Sequence, residues 1–436
     1  MKIVQITPGS GDNFYCENCL RDLHMVRAMR ALGHDVMMVP LYLPLQAEQM
    51  ESVADAPIFY GGVNVYLQQK ASLFRKTPRW LDSVFDSPRL LSWVSKMAGM
   101  TSPKDLGETT LSMLKGENGR QDKELGRLVT WLGERAERPD LICLSNALLV
   151  GLARRIKEEL DVPLACLLQD EDGFLDGLMS PYDEQAWSEV IERVKDIDGF
   201  VSVSKYYADV MEKRLQLSRD RVHVVHVGIA TDDYAVQQKR PERPTIGFLS
   251  RMCEAKGLDT LVEAFIALKQ TDGLQDARLR IAGGRLGDDA FIEKLKARLQ
   301  SSGLLDDVDF LPEFGQEERL AFLRTLSVLS VPERDPVAYG LYVLEALASG
   351  VPVVQPDSGV FPELIEATGG GLLCKPNDAS ALAENIERIL LDEDLSRDLS
   401  GRGRAGVVEH FDIAKTSKAL IAVYERIVQS HPSRLK

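Results

Sequence analysis

Short, continuously apolar runs alternate with stretches of helical period along nearly the whole chain. In the first half the runs are KIVQIT, DVMMVP, DLICLS, VPLACLLQ and GFVSVS. In the second they are PTIGFLS, ARLRIAGG, VDFLPE, SVLSVPE, VPVVQP and GLLCKP. Runs this short and this apolar predict strands buried on both faces, as in a parallel sheet covered by helices on each side. The intervening stretches read as amphipathic helices. In GLDTLVEAFIALK, Leu258, Leu261, Val262, Phe265 and Leu268 recur at helical spacing. After Asp378, Leu382, Ile386, Ile389 and Leu390 do the same. The alternation predicts an α/β fold of repeated strand–helix units.

The pattern breaks at QQKRPERP, from Gln237 to Pro244, which is polar, charged and proline-bearing and predicts a linker. A chain of 436 residues suits two cores of about 200 residues each. The predicted division is a first Rossmann-like domain over 1–236 and a second over 245–410. One region exceeds a minimal unit: an insertion over about 57–134. Within it, Lys70, Arg75, Lys76, Arg79, Arg89 and Lys96 face only Asp82 and Asp86, with Phe74, Trp80, Phe85 and Trp93 interleaved. The 70–96 segment is either a basic-aromatic helix lying on an anionic membrane surface or an inserted helical subdomain with solvated charges.

Charge and cysteine content narrow the class. The net charge of -14 disfavours nucleic acid as a partner. MKIVQITPGSG reads as a buried strand, without the apolar core and cleavage site of a signal peptide, and no apolar run is long enough to span a bilayer. Six cysteines without a secretory signal read as reduced thiols. The expected location is the cytoplasm, at the periphery of the inner membrane face if the 70–96 segment is the membrane-lying helix, and without that contact if it is the solvated subdomain. Cys16 and Cys19 form a CxxC with no second ligand pair at zinc spacing, so they are either a redox pair or packing residues. No metal site is expected.

Three places carry candidate phosphate chemistry. Gly9-Ser10-Gly11 follows the first strand, where a glycine turn lets backbone N–H groups approach an anion. The third glycine of a dinucleotide fingerprint is replaced by Phe14, and DVMMVPLYLP ends without a ribose-binding acid, which argues against a nicotinamide enzyme. Arg251 and Lys256 sit in GFLSRMCEAKGLDTL, just past the first strand of the second half. A diphosphate leaving group needs fixed cations, and this pair supplies them. The bland alternative is two exposed basic residues at a helix start, where the dipole disfavours cations. Gly340-Leu341 opens the helix of YGLYVLEALASG, whose first amides would face the same phosphates. Glu345, between Leu344 and Ala346, needs a hydrogen-bond partner: ribose hydroxyls or a neighbouring loop.

At these residues the chain resembles the retaining glycosyltransferases of the GT-B fold, family 4 or group 1 type. SRMCEAKGLDTL, LRIAGG, VDFLPE, the Glu345 helix, SGVPVVQPDSGVFPELI and GGGLLCKPNDASALAENIERIL stand in the family's order across the second half. Gly9 to Gly11, LGHDV, and SVSKYYADVM before VHVVHVGI match in the first. The resemblance implies two facing Rossmann-like domains, with a C-terminal helix over 411–436 crossing back to the first. It implies a nucleotide-diphosphate sugar on the second domain and an unidentified glycan, lipid or small-molecule acceptor on the first. It also implies front-face transfer with retention and no obligatory metal or other cofactor. Arg251 and Lys256 then act on the departing diphosphate, and Gly9, Gly11, Gly340, Leu341 and Glu345 bind the donor, with Leu311 and Pro312 near the base. The pattern departs from the family at two points. The first of the family's paired glutamates maps to Val337, and the usual histidine after VPLACLLQ is replaced by Gln169-Asp170-Glu171-Asp172. Glu333, Asp335, Gln169 and Asp170 are the candidate replacements toward sugar or acceptor, and the acidic run is either acceptor-facing or a solvated loop. The alternative function is a GT-B-like nucleotide- or sugar-binding protein that transfers nothing and serves as a regulatory or partner subunit.

Overall fold

The computed structural model describes residues 1–8, 17–41, 103–134, 138–236, 241–283, 289–311 and 315–432, without the side chains of 17–20 and 103. Gly9, Gly11, Pro312, Cys16, the Cys19 side chain, the 70–96 segment, insertion residues 57–102 and linker residues 237–240 therefore lie outside the described residues.

The first sheet holds β1 (Lys2–Thr7), β2 (Asp35–Pro40), β3 (Leu141–Leu144), β4 (Leu164–Leu168), β5 (Gly199–Ser202) and β6 (Val222–Val224). All pairings are parallel, in the order β2-β1-β3-β4-β5-β6. The second holds β7 (Thr245–Leu249), β8 (Arg278–Ala282), β9 (Val308–Leu311), β10 (Val328–Leu329), β11 (Val353–Pro356) and β12 (Gly371–Cys374). It is also parallel, in the order β12-β11-β10-β7-β8-β9. The α/β expectation of two parallel-sheet units holds. β6, absent from the apolar runs above, is an edge strand of three residues interrupted by His223, so it lacks a continuous apolar run.

The helices bury the faces that their periodicity marks. Leu258, Leu261, Val262, Phe265 and Leu268 are all buried in the Leu258–Leu268 helix. In Ala379–Leu391, Leu382, Ile386, Ile389 and Leu390 are buried, and the Asp378 carboxylate caps the start by accepting from the N–H groups of Ser380 and Ala381. Of the inserted region, helices Pro103–Leu114 and Asp122–Gly133 are described. Leu125, Leu128, Val129 and Leu132 of the latter pack into the main core.

The chain's return to the first domain joins the halves. Ile229 exchanges backbone hydrogen bonds with Phe411 (2.9 Å) and Ile413 (2.8 Å), and Thr231 donates to Asp412 at 2.7 Å. From that crossing the Ile413–Ser430 helix lies on the first sheet. Its Leu420, Tyr424 and Ile427 pack with Ile3, Val36, Leu141 and Val201. Within each sheet the strand order reverses once, between β1 and β3 and between β7 and β10. Loops leaving the carboxyl ends of strands on either side of such a switch point open a crevice, where ligands bind in open α/β sheets.

Candidate functional site

In the second domain the switch-point loops are residues 250–257 after β7 and residues 330–340 after β10. They carry Arg251, Lys256 and Glu333. Gly257 has φ +68°, and a Cβ there would stand 1.9 Å from the Pro332 carbonyl oxygen. Only glycine permits both the left-handed turn and this approach. The approach joins two turns otherwise far apart in sequence. The Arg334 N–H donates to the Ala255 carbonyl at 3.0 Å. Its guanidinium pairs with Glu254 at 3.0 Å and with Asp259. Lys256 Nζ meets Glu333 Oε1 at 2.8 Å, and the Tyr342 hydroxyl donates to the same oxygen at 3.0 Å. Glu333 is 3% exposed. Burial pushes its carboxyl up from the usual range, with Lys256 opposing. Arg251 is exposed, and Asp335 is exposed on the same loop as Glu333.

Helix Leu341–Ala348 begins at this loop, with Gly340 as its N-cap residue. Leu341 is buried, so its side chain presents no surface to a ligand. One turn on, Glu345 is 1% exposed. Its partners come from the protein. Arg319 Nε lies 2.9 Å from Oε1, and the Tyr234 hydroxyl donates to Oε1 at 2.8 Å. Arg319 is itself buried. His24, on the first domain's Glu17–Ala31 helix, is pushed down to about 4 by burial and then by the Arg319 and Arg27 charges. Leu311, half-buried, ends β9 two strands from the switch point. Val337 is buried against the core, and its carbonyl accepts from the Val360 N–H at 3.1 Å.

The first domain answers from the end of β4. Gln169 is buried and donates from Nε2 to the Ser145 carbonyl, while its Oε1 has no partner among the described residues. Asp170 adopts φ 64° and turns outward. Its Oδ1 accepts from the Ala338 N–H of the second domain at 3.4 Å. Crowding between the domains strips water from this carboxyl and raises it, while Lys256 and Arg251 pull the other way. Glu171 points inward and accepts from the N–H groups of Ala147 (2.8 Å) and Gln169 (2.7 Å) and from the Tyr207 hydroxyl (2.8 Å). The acidic run is thus divided by backbone conformation: Glu171 braces the loop and Asp170 faces the crevice.

A second bridge lies beside it. The Ser204 hydroxyl donates to the Ala338 carbonyl at 2.7 Å. Glu363 accepts from the N–H groups of Lys205 (3.1 Å) and Tyr206 (3.2 Å), and its carboxylate meets His226 at 2.5 Å. These donors hold Glu363 below the usual carboxylate range against the opposing effect of burial.

Arg251, Lys256, Glu333 and Asp170 thus converge from two domains, with Gly340 and Leu341 at the neighbouring helix start. Glu345 lies deeper in its own buried network, while Gln169 sits behind Asp170. Sequence reading missed Arg319, Tyr234, Tyr342, Arg334, Ser204 and Glu363. Arg319 follows Glu317 and Glu318 and reads as one more solvated charge. For Tyr342 there was a signal: a tyrosine one turn before Glu345 on a wholly buried helix needs a partner for its hydroxyl.

Family models, curated relatives and solved structures match the chain as follows. The model of group 1 glycosyl transferases matches residues 231–406, and that of the glycosyl transferase 4-like domain matches residues 23–228. A lipopolysaccharide core biosynthesis mannosyltransferase, LpsB, of Rhizobium meliloti is 32% identical over 195 residues, covering 43% of this chain and 53% of that protein. A D-inositol 3-phosphate glycosyltransferase of Jonesia denitrificans is 30% identical over 224 residues, covering 48% of this chain and 52% of that protein. The chain spans about half the length of these curated relatives. Among solved structures, Anabaena HepE in complex with UDP and glucose superposes with a TM-score of 0.71 at 15% identity, over 98% of this chain and 100% of that one. Sucrose-phosphate synthase from Thermosynechococcus elongatus superposes with a TM-score of 0.70 at 17% identity, over 98% of each chain. Together the two family models cover nearly the whole of both sheets, and the chain belongs to the group 1 glycosyltransferases, with a glycosyltransferase 4-like first half.

Proposed function

We propose that this chain transfers a hexosyl group from a nucleotide-diphosphate sugar to an acceptor hydroxyl, with retention at the anomeric carbon and without an obligatory metal. The observation that carries the reading is the convergence of Arg251, Lys256 and the Gly340–Leu341 helix start at the β7/β10 switch point, opposite Asp170. In this reading the bond from the anomeric carbon to the diphosphate oxygen breaks as the acceptor oxygen bonds on the same face. The acceptor proton passes to the departing phosphate. Arg251 and Lys256 take up the charge that develops on that phosphate, where one preorganised donor is worth about 3–4 kcal/mol of barrier. Glu345, with Arg319 and Tyr234, orders the ribose end of the site. Gly9, Gly11, Leu311 and Pro312 complete the nucleotide's surroundings, and Asp170, with Gln169 behind it, faces the sugar and acceptor.

UDP is carried by HepE in its complex, and GDP-mannose serves as donor for a Mycobacterium tuberculosis mannosyltransferase 32% identical to this chain over 173 residues. UDP and GDP are therefore the nucleotides to test. A nucleotide at 100 times its dissociation constant adds about 2.7 kcal/mol of stability. At about 2–4 °C per kcal/mol for a domain of this size, that is a rise in Tm of roughly 5–10 °C. No rise with UDP, GDP or ADP refutes the reading. Among the described residues no helix is long and apolar enough to cross a membrane. Contact with the inner membrane face through the 70–96 segment is a further part of the proposal, tested by flotation with anionic vesicles.

A further inference from the structure

We infer that Glu333 is a positioning residue: it holds the Lys256 ammonium at one place in the crevice, acting on the reaction through that lysine and not by touching sugar. The inference rests on the transferase reading above. The Glu333 side chain is 4% exposed, which leaves a substrate hydroxyl no approach to it, and its Oε1 already receives Lys256 at 2.8 Å and the Tyr342 hydroxyl at 3.0 Å. A carboxylate buried this deeply persists only where its partners are fixed.

The surrounding backbone fixes them. Gly257 presses against the Pro332 carbonyl, Arg334 donates from its N–H to Ala255 at 3.0 Å, and the Arg334 guanidinium spans Glu254 and Asp259. The Glu254–Lys256 turn and the Glu333 turn are thereby one rigid unit. Arg251 differs: it is exposed and forms no hydrogen bond or ion pair among the described residues. Of the two cations assigned to the diphosphate, one is free to follow the ligand and the other is set in advance. A long flexible lysine loses reach and gains precision by this arrangement, and precision is what a developing charge rewards.

The groups facing Glu333 are Lys256 from the turn after β7, Tyr342 from the Leu341–Ala348 helix, and Asp170 from the first domain. Burial and Asp170 favour its neutral form, while Lys256 and Tyr342 favour its charged form. Protonation on the acid side then releases Lys256.

The test uses the full chain, with UDP and GDP binding by calorimetry and hydrolysis of UDP-glucose and GDP-mannose as the reaction. Glu333→Gln is expected to keep nucleotide affinity within about threefold and to lower kcat about 100-fold, the loss typical of a group displaced by about 1 Å. The acid limb of the wild-type kcat profile is expected to vanish in Glu333→Gln. Tyr342→Phe keeps the acid but removes one donor, so the same limb should move to higher pH with KM unchanged. This variant decides the matter if Glu333→Gln does not fold. Wild-type kcat and an unmoved acid limb in either variant overturn the inference. So does a loss of nucleotide binding in Glu333→Gln equal to that of Lys256→Ala. A wild-type chain that binds neither nucleotide overturns this inference together with the transferase reading. A wild-type chain that binds, beside variants that behave like it, overturns this inference alone.

Discussion

Replacing Gly257 with alanine separates two costs that the structure superimposes. The first is conformational. An alanine held at φ +68° pays about 1–2 kcal/mol for the left-handed region. The second is steric. The new Cβ would stand 1.9 Å from the Pro332 oxygen, and real Cβ contacts stay beyond 3.0 Å, so one turn must move by about 1 Å. Overpacking of that kind costs about 1–3 kcal/mol, for a total of roughly 2–5 kcal/mol. Gly303 provides the control. It has φ +71° but nothing within 4 Å of the methyl that alanine would add, so Gly303→Ala bears the conformational cost alone. Urea unfolding followed by circular dichroism should show Gly257→Ala less stable than Gly303→Ala by about 1–3 kcal/mol. The functional effect should separate more widely. Moving the turn carries Lys256 off Glu333, and donor hydrolysis should fall about 100-fold in Gly257→Ala while Gly303→Ala retains it. Equal stability and equal activity in the two variants would refute the idea that the Gly257–Pro332 approach organises the site.

Two further outcomes follow from the buried charges. Arg319→Met removes the cation beside Glu345, which is 1% exposed, and should cost about 3–5 kcal/mol in urea unfolding. Adding Glu345→Gln should recover part of that, because a neutral amide tolerates burial better; a single variant within about 1 kcal/mol of the wild-type chain would count against the pair. For His24 the folded value of about 4 lies below the ordinary value of 6.5, so the unfolded chain binds the proton more tightly. Stability from this group is therefore full above 6.5 and is lost as the pH falls toward 4, by up to about 3 kcal/mol. His24→Leu should flatten that part of the stability–pH curve, and an unchanged slope between pH 7 and 5 (roughly the upper half of the window) would argue against it.

Much of the architecture is legible in local sequence. A parallel strand covered by helices leaves a continuous apolar run, and the described strands other than β6, which His223 interrupts, lie within such runs. The Leu258–Leu268 and Ala379–Leu391 helices show their buried faces in their spacing, and Asp378 announces the start of the second as a cap. The places of Arg251, Lys256 and Gly340 in the fold are readable because they follow a strand end or open a helix.

The pairing of buried charges is another matter. Lys256 meets Glu333, Glu345 meets Arg319 and Tyr234, and Asp170 meets Ala338, each across long stretches of chain. No periodicity encodes such partners, because they are set by which loops the strand order brings to one crevice. Sequence alone made Glu345 a carboxylate in need of a partner and left ribose or loop open; the fold supplies Arg319 and Tyr234. It made Gln169 to Asp172 one acidic run; a single left-handed residue, Asp170, turns one acid to the crevice and Glu171 into the core. Local composition therefore determined the strands, the helices and the cations at their ends. Tertiary structure decided which charges are fixed and which are free, since burial and the distance between partners are properties of the folded chain.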